Sequence, residues 1–392
     1  MQKSASQNKN FKVFFIFILC FSGINPVFPA LNIKGWLILL LCLSVIILRS
    51  RIISTTSNLV AYFIFVLYLI TCLLSSAIND SFVPIIMAFF FVLTVLPVLQ
   101  LKFREIHLVV EIASNFILLL LLGSIIGMAY YELGGSPLIT LKNPDGRDNY
   151  LYLTTFSNVS NFTIRPAGFF DEPGAFSFII CFLVAIRSRL RLSSMISALM
   201  MIGGMLTQSI AHLVFMLFWF IWLIRSGNSL FDFRHILKSI LLMILILSII
   251  GIIYVTEFFD WAVLRAFMYL NEPESNPRNI HFEYIYEILS SNPNQLWFGF
   301  SSECVHRLQS CSGIGENPLT PLAYGGIAVA WPFYLFILIS IVLLFIGRDG
   351  ILLFGLSLLL MQRPYLLEFP YSALIALVCI TWVLTIPRQQ YA

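Results

Sequence analysis

The sequence predicts an all-α polytopic membrane protein with about twelve transmembrane helices, two large loops on the outer side, and a short amphipathic helix within one of those loops. Three observations carry this expectation. Of 392 residues, 59% are hydrophobic and only 11% are charged, whereas a soluble domain carries roughly 25% charged residues. The apolar residues gather in runs of spanning length, and basic clusters recur at every second connection between those runs. So many spans leave no room for a large soluble catalytic domain, and the formal net charge of +4 is too small to indicate a nucleic-acid partner.

The apolar runs read as spans cover residues 12–28, 35–48, 58–77, 82–99, 108–130 and 173–186, then 194–208, 210–224, 236–256, 325–346, 350–362 and 369–386. Together they make one integral membrane domain over residues 1–392. Retention of positive charge on the cytoplasmic side sets the orientation. Lys3, Lys9 and Lys12 lie before or at the start of the first span, Arg49 and Arg51 follow the second, and Lys102 and Arg104 follow the fourth. The alternation continues with Arg187, Arg189 and Arg191, then Arg225, Arg234 and Lys238, then Arg348, and finally Arg388. Both termini are therefore expected inside. Acidic residues invert the pattern, with Glu105, Glu111, Asp232 and Asp349 the inside carboxylates and the rest outside.

The first run could be a secretory signal, but Phe28-Pro29-Ala30 lacks the small residue expected at both cleavage-site positions, so it reads as an uncleaved anchor. Cys20, Cys42, Cys72, Cys181 and Cys379 fall inside spans, while Cys304 and Cys311 share one outer loop. That pair is expected to form a disulfide in an oxidising compartment; the spacing permits the bond without requiring it.

Chemistry is expected in the two long outer loops, residues 131–172 and 257–320, since long loops usually carry function. The first ends in Arg165-Pro166-Ala167-Gly168-Phe169-Phe170-Asp171-Glu172-Pro173-Gly174-Ala175 and runs straight into the sixth span. Pro173 suits a first helical turn, and Asp171 or Glu172 would sit at the positive helix end. A helix cap explains one carboxylate. It does not explain the second, nor an arginine seven residues upstream of Glu172. An arginine and carboxylates at a bilayer interface make a phosphate clamp and a proton acceptor, because guanidinium grips phosphate oxygens bidentately.

The second loop contains Asn276-Pro277-Arg278-Asn279-Ile280-His281, then Phe282, Ile285, Tyr286 and Leu289 at helical spacing, stopped by Ser290, Ser291, Asn292 and Pro293. Asn276 as cap and Pro277 in the first turn predict a short amphipathic helix lying on the outer bilayer surface. Arg278 and His281 then lie within one turn; equally, the stripe could simply anchor the loop while Arg278 meets lipid phosphate. The seventh and eighth spans join outside near Met205 to Ile210, placing Gln208, Ser209 and His212 close to the outer end of the eighth. His212 could be a base or phosphate donor, and a packed, hydrogen-bonded histidine is the competing reading. Gly123 and Gly127 in the fifth span read most simply as a helix-packing pair. The sequons at Asn158 and Asn161 carry no weight, since such tripeptides are frequent by chance. Walker, dinucleotide, zinc, serine-elbow and Asp-x-Asp signatures are missing from the sequence.

These residues on this topology resemble the Wzy-type O-antigen and capsule polymerases, relatives of the O-antigen ligases. The resemblance rests on Arg165-x-x-Gly168-x-x-x-Glu172-Pro173 entering a span, and on Arg278 before an amphipathic segment leading to Asn292-Pro293 and Phe298-Gly299-Phe300. It continues into Glu316-Asn317-Pro318-Leu319 and Gly325-Gly326 at the start of the tenth span. Two departures bear on it. Ligases tend to carry His-Asn where this chain has Glu316-Asn317, and Ser209 is followed by Ile210 where the family often has arginine.

The resemblance implies polymerisation of undecaprenyl-diphosphate-linked oligosaccharide repeats at the periplasmic face of the inner membrane. It also implies a flippase and a chain-length regulator as working partners, beside the lipid bilayer itself. The diphosphate leaving group needs cations, for which Arg165 and Arg278 lead and Arg265 and Arg307 follow. The acceptor hydroxyl needs a general base, for which Glu172, Asp171 and His281 are the candidates in that order, with no metal or other cofactor expected. The rivals are an O-antigen ligase, which differs in its acceptor, and a lipid-linked oligosaccharide flippase or other transporter, which would place ionisable residues near the bilayer midplane.

Overall fold

In the computed structural model, the described residues are 13–14, 16–18, 56–80, 82–142, 148–159, 164–226, 277–300, 317–347, 349–364 and 369–389. Helices dominate. They are α1 (Thr56–Ile78), α2 (Val83–Leu99), α3 (Phe103–Glu132), α4 (Pro173–Arg189), α5 (Ser194–Gly204) and α6 (Ile210–Arg225). After these come α7 (Pro277–Ser291), α8 (Pro293–Phe298), α9 (Thr320–Ile346), α10 (Gly350–Gln362) and α11 (Phe369–Gln389). The expected spans at 58–77, 82–99, 108–130, 173–186, 194–208, 210–224, 325–346, 350–362 and 369–386 each fall on one of these helices. The runs at 35–48 and 236–256, and most of 12–28, lie outside the described residues.

Among the described residues two helices, α3 and α9, are long and apolar enough to cross a membrane, at 30 and 27 residues. At 1.5 Å per residue α3 is about 45 Å long. Shorter apolar helices surround them, including α6, α10 and most of α1, α2 and α11. Large apolar side chains stand exposed along whole helix faces, as with Phe63, Val66, Leu67, Ile70 and Leu74 on α1 and Leu338, Val342 and Phe345 on α9.

The core is built around α4. Its residues Ala175 to Arg189 are all buried, as expected for a helix that is apolar all round. It packs against α3, α5, α6, α10 and α11. Arg187 and Arg189 complete its last turn, the favourable end for cations. Arg189 pairs there with Asp349, the residue before α10, which also accepts from Trp222 Nε1 at 2.6 Å and from Arg191 at 3.4 Å. Among the described residues every buried charged side chain, namely Glu105, Glu172, Arg187, Arg189 and Asp349, sits at a helix end.

The loop at 131–172 carries a four-stranded antiparallel sheet, which corrects the all-α expectation. Strands β1 (Ile139–Lys142), β2 (Asp148–Tyr152), β3 (Thr155–Val159) and β4 (Ile164–Gly168) pair in sequence order. The β2–β3 hairpin turns through Leu153 and Thr154 and docks on α3. Thr154 Oγ1 donates to the Gly123 carbonyl at 2.7 Å, and a Cβ on Gly127 would lie 2.9 Å from the Tyr152 carbonyl oxygen. Gly123 and Gly127 thus accept a hairpin, which corrects their reading as a helix–helix packing pair. The spacing signals only a close approach, and here the hairpin makes it, with the Thr154 and Thr155 side chains at Gly123 and the Tyr152 carbonyl at Gly127. Gly123 lies nine residues before the end of α3, so the hairpin reaches about 14 Å along the helix.

The amphipathic helix forms as α7, and Asn292 caps the short α8 that follows, accepting from the Asn294 amide at 3.0 Å. Its apolar stripe divides. Ile285 and Leu289 are buried against Phe300, Leu322 and Ala323, while Phe282 and Tyr286 are exposed. Half of the stripe therefore packs on the protein.

Candidate functional site

The site is organised by the passage from β4 into α4. Pro166 lacks an N–H and is tolerated because β4 is a sheet edge. The chain then turns at Gly168, and Asn149 on β2 holds the connection: its Nδ2 donates to the carbonyls of Phe170 and Asp171 at 3.3 and 3.0 Å. Pro173 is the first helical residue and Glu172 the N-cap, as the sequence predicts. The Glu172 side chain makes no capping hydrogen bond. It turns instead to Arg363, the C-cap residue of α10, in an ion pair whose side chains are 10% and 15% exposed.

Arg363 went unnoticed in the sequence, where Arg165 looked like the cation beside Glu172. Its position has local causes. Pro364 pushes the preceding residue toward extended backbone, and Arg363 indeed leaves α10 at φ −139° and ψ 95°. Gly174 provides the space, since a Cβ there would lie 2.6 Å from Arg363 Nη2. The one signal that could have revealed it is a lone arginine ending a span on the side where basic residues are scarce.

Arg165 sits on β4 and reaches the 3-10 turn Met205–Thr207 that links α5 to α6. Its Nε and Nη2 donate to the Thr207 carbonyl at 3.3 and 3.2 Å, with Gln208 O at 3.5 Å. These bonds fix the guanidinium plane at the same end of the bundle as the start of α4. His212 is fully buried one turn further along. Its Nε2 donates to Met201 O at 2.7 Å, and Nδ1 lies 3.4 Å from Cys181 Sγ. This is the packed, hydrogen-bonded arrangement, and it leaves His212 outside any exposed catalytic position. Asp171 is half-buried beside Glu172.

The second group of motif residues meets around a break in α9. Gly325 and Gly326 are non-helical, Gly326 with φ +62°. Gly299, with φ +84°, lies against them so closely that a Cβ on it would come within 2.6 Å of the Gly325 Cα. Ser75 on α1 donates to the carbonyls of Phe298 and Gly325 at 2.8 and 3.3 Å, and Phe300 N donates to Ala323 O at 2.9 Å. Asn317 accepts from the Leu319 amide at 2.9 Å while Thr320 Oγ1 accepts from the Asn317 amide at 3.1 Å, closing the start of α9. The Phe298-Gly299-Phe300 and Gly325-Gly326 motifs are thus one contact, backbone against backbone. α9 also packs against α10.

This contact gives a stability prediction. Gly326→Ala places a Cβ in the left-handed region and into the Trp297–Phe298 backbone, and should destabilise by about 1–3 kcal/mol. Thermal unfolding of purified protein in detergent checks it, with Gly347→Ala, where a Cβ meets nothing within 4 Å, as the silent control. Equal melting of both variants would contradict the contact.

Arg278 and His281 fall in the first turns of α7, but their side chains lie outside the described residues. So do Arg265, Arg307, Glu316 and the cysteines Cys304 and Cys311. No family model, no curated protein and no solved structure matches the chain.

Proposed function

We propose that this chain is a polysaccharide polymerase of the inner membrane, joining undecaprenyl-diphosphate-linked oligosaccharide repeats into O-antigen or capsule at the periplasmic face. The observation that carries the reading is the start of α4, where the carboxylate of Glu172 meets a guanidinium and β4 delivers Arg165 to the same end of the bundle. Cations there suit a departing diphosphate, and a carboxylate suits the proton of an attacking sugar hydroxyl. The growing glycan is transferred from one lipid carrier to the terminal sugar of a newly arrived repeat on another.

Twelve spans with both termini cytoplasmic complete the proposal. The ion pairs at the two ends of α4 support it: Glu172 and Arg363, both assigned outside by the charge alternation, pair at one end, and Arg189 and Asp349, both assigned inside, pair at the other. The exposed apolar faces of α1 and α9 suit lipid contact. Among the described residues buried charges are confined to helix ends, which favours an interfacial enzyme over a transporter, whose ionisable residues gather near the midplane.

Cells deprived of this chain should accumulate single lipid-linked repeats and regain long polymer when it is restored; unchanged chain lengths without it would reject the reading. Reporter fusions test the topology. Fusions at Asp148 and Glu303 should report the periplasm and one at Arg189 the cytoplasm. Cytoplasmic signal at either of the first two would place the site on the wrong side for a flipped substrate.

A further inference from the structure

We infer that Arg363 is a third cation of the diphosphate site, held at rest by Glu172 and transferred to the incoming diphosphate, which thereby releases Glu172 to act as the base. The inference rests on the function proposed above and adds a residue and an order of events to it. The resting pair is electrostatically well placed, because a carboxylate at the start of α4 and a guanidinium at the end of α10 each sit at the helix end that favours their charge. Its two side chains are 10% and 15% exposed, so neither charge is solvated well enough to leave the other without a replacement. A diphosphate is that replacement: it carries more than one negative charge and offers paired oxygens to the guanidinium fork, where the carboxylate offers a single charge.

Gly174 keeps the guanidinium against the first turn of α4, since any side chain there would displace it. Asn149, fully buried, ties the Phe170 and Asp171 carbonyls and so holds the backbone just before Glu172 while the pair opens. In the reaction the acceptor hydroxyl oxygen bonds to the anomeric carbon of the donor sugar. The bond from that carbon to the diphosphate oxygen breaks, with its electron pair leaving on the diphosphate beside Arg363. The hydroxyl proton goes to Glu172.

Removing the carboxylate should therefore strengthen binding of the lipid diphosphate while abolishing turnover. Full-length protein in neutral-lipid nanodiscs is titrated with undecaprenyl diphosphate and, in parallel, with inorganic pyrophosphate. Glu172→Gln should bind at least one of the two about ten-fold more tightly than wild type, and the double variant Glu172→Gln/Arg363→Gln should lose that gain and more. The double variant removes both charges of the pair together, and thermal unfolding verifies that it folds. Tightening with undecaprenyl diphosphate alone assigns the site to the lipid carrier; tightening with both assigns it to the diphosphate group itself. Equal or weaker binding of both probes by Glu172→Gln, with wild type binding normally, overturns the role of Arg363 and leaves the polymerase reading standing. Absence of wild-type binding to undecaprenyl diphosphate overturns the polymerase reading, and this inference with it.

Discussion

Glu172→Gln eliminates polymer while the protein remains at its normal level in the membrane: this is the largest effect the site geometry leads us to expect. Loss of a general base typically costs about 10²–10⁴ in rate, and each bond of a long polymer needs the step again, so long chains vanish before short ones. Glutamine keeps the size of the side chain and can still accept from Arg363, which limits structural damage at a position only 8% exposed. Glu172→Asp keeps the charge but shortens the reach across to Arg363, and should retain a trace of product. Electrophoresis of the surface polysaccharide, with an immunoblot of the membrane fraction, separates these outcomes. Wild-type chain lengths in the glutamine variant would make Glu172 a structural partner of Arg363 alone and move the base to Asp171 or His281.

Loss of the clamp should be nearly as severe. Arg165→Ala or Arg278→Ala is expected to lower polymerisation by about 10²–10³ and to leave single lipid-linked repeats. Lysine should restore only part of the activity, because it carries the charge without the planar fork. At Arg165 the fork has a visible task, since Nε and Nη2 together hold the Thr207 carbonyl; lysine, whose donors share one nitrogen, cannot grip that oxygen from two sides. Analysis of extracted lipid-linked sugars distinguishes a failed polymerase from a failed supply of repeats. Normal chain lengths in both alanine variants would remove the diphosphate clamp from the account.

Most helices were legible because their causes are local. The apolar run after Pro173 predicts a span over 173–186, and α4 forms there; Ser290 to Pro293 predict the end of the amphipathic helix, and α7 ends at Ser291. The sheet was missed because its strands have only four or five residues each, too short for a firm alternating pattern. The signal was nonetheless present, in Asn143-Pro144-Asp145-Gly146 between two β-branched and aromatic runs. Gly123 and Gly127 correctly marked a close approach, but spacing cannot name what approaches.

Within the site, the carboxylate was legible and its partner was not. Pro173 announces the helix start that fixes Glu172, whereas Arg363 meets it only because α10 runs antiparallel to α4, with nearly two hundred residues between them in sequence. The glycine motifs show the same division. Gly299 and Gly325-Gly326 each look like a turn when read alone, and only packing reveals that each glycine exists for the other.

The central claim is tested most directly by purified protein in vesicles supplied with a single species of undecaprenyl-diphosphate-linked repeat. The account predicts a ladder of lipid-linked glycans lengthening by whole repeats, with one undecaprenyl diphosphate released for every bond formed and no ladder from Glu172→Gln. Substrate recovered unextended, or carried across the bilayer without new bonds while the same preparation is folded and bound to its lipid, would contradict it.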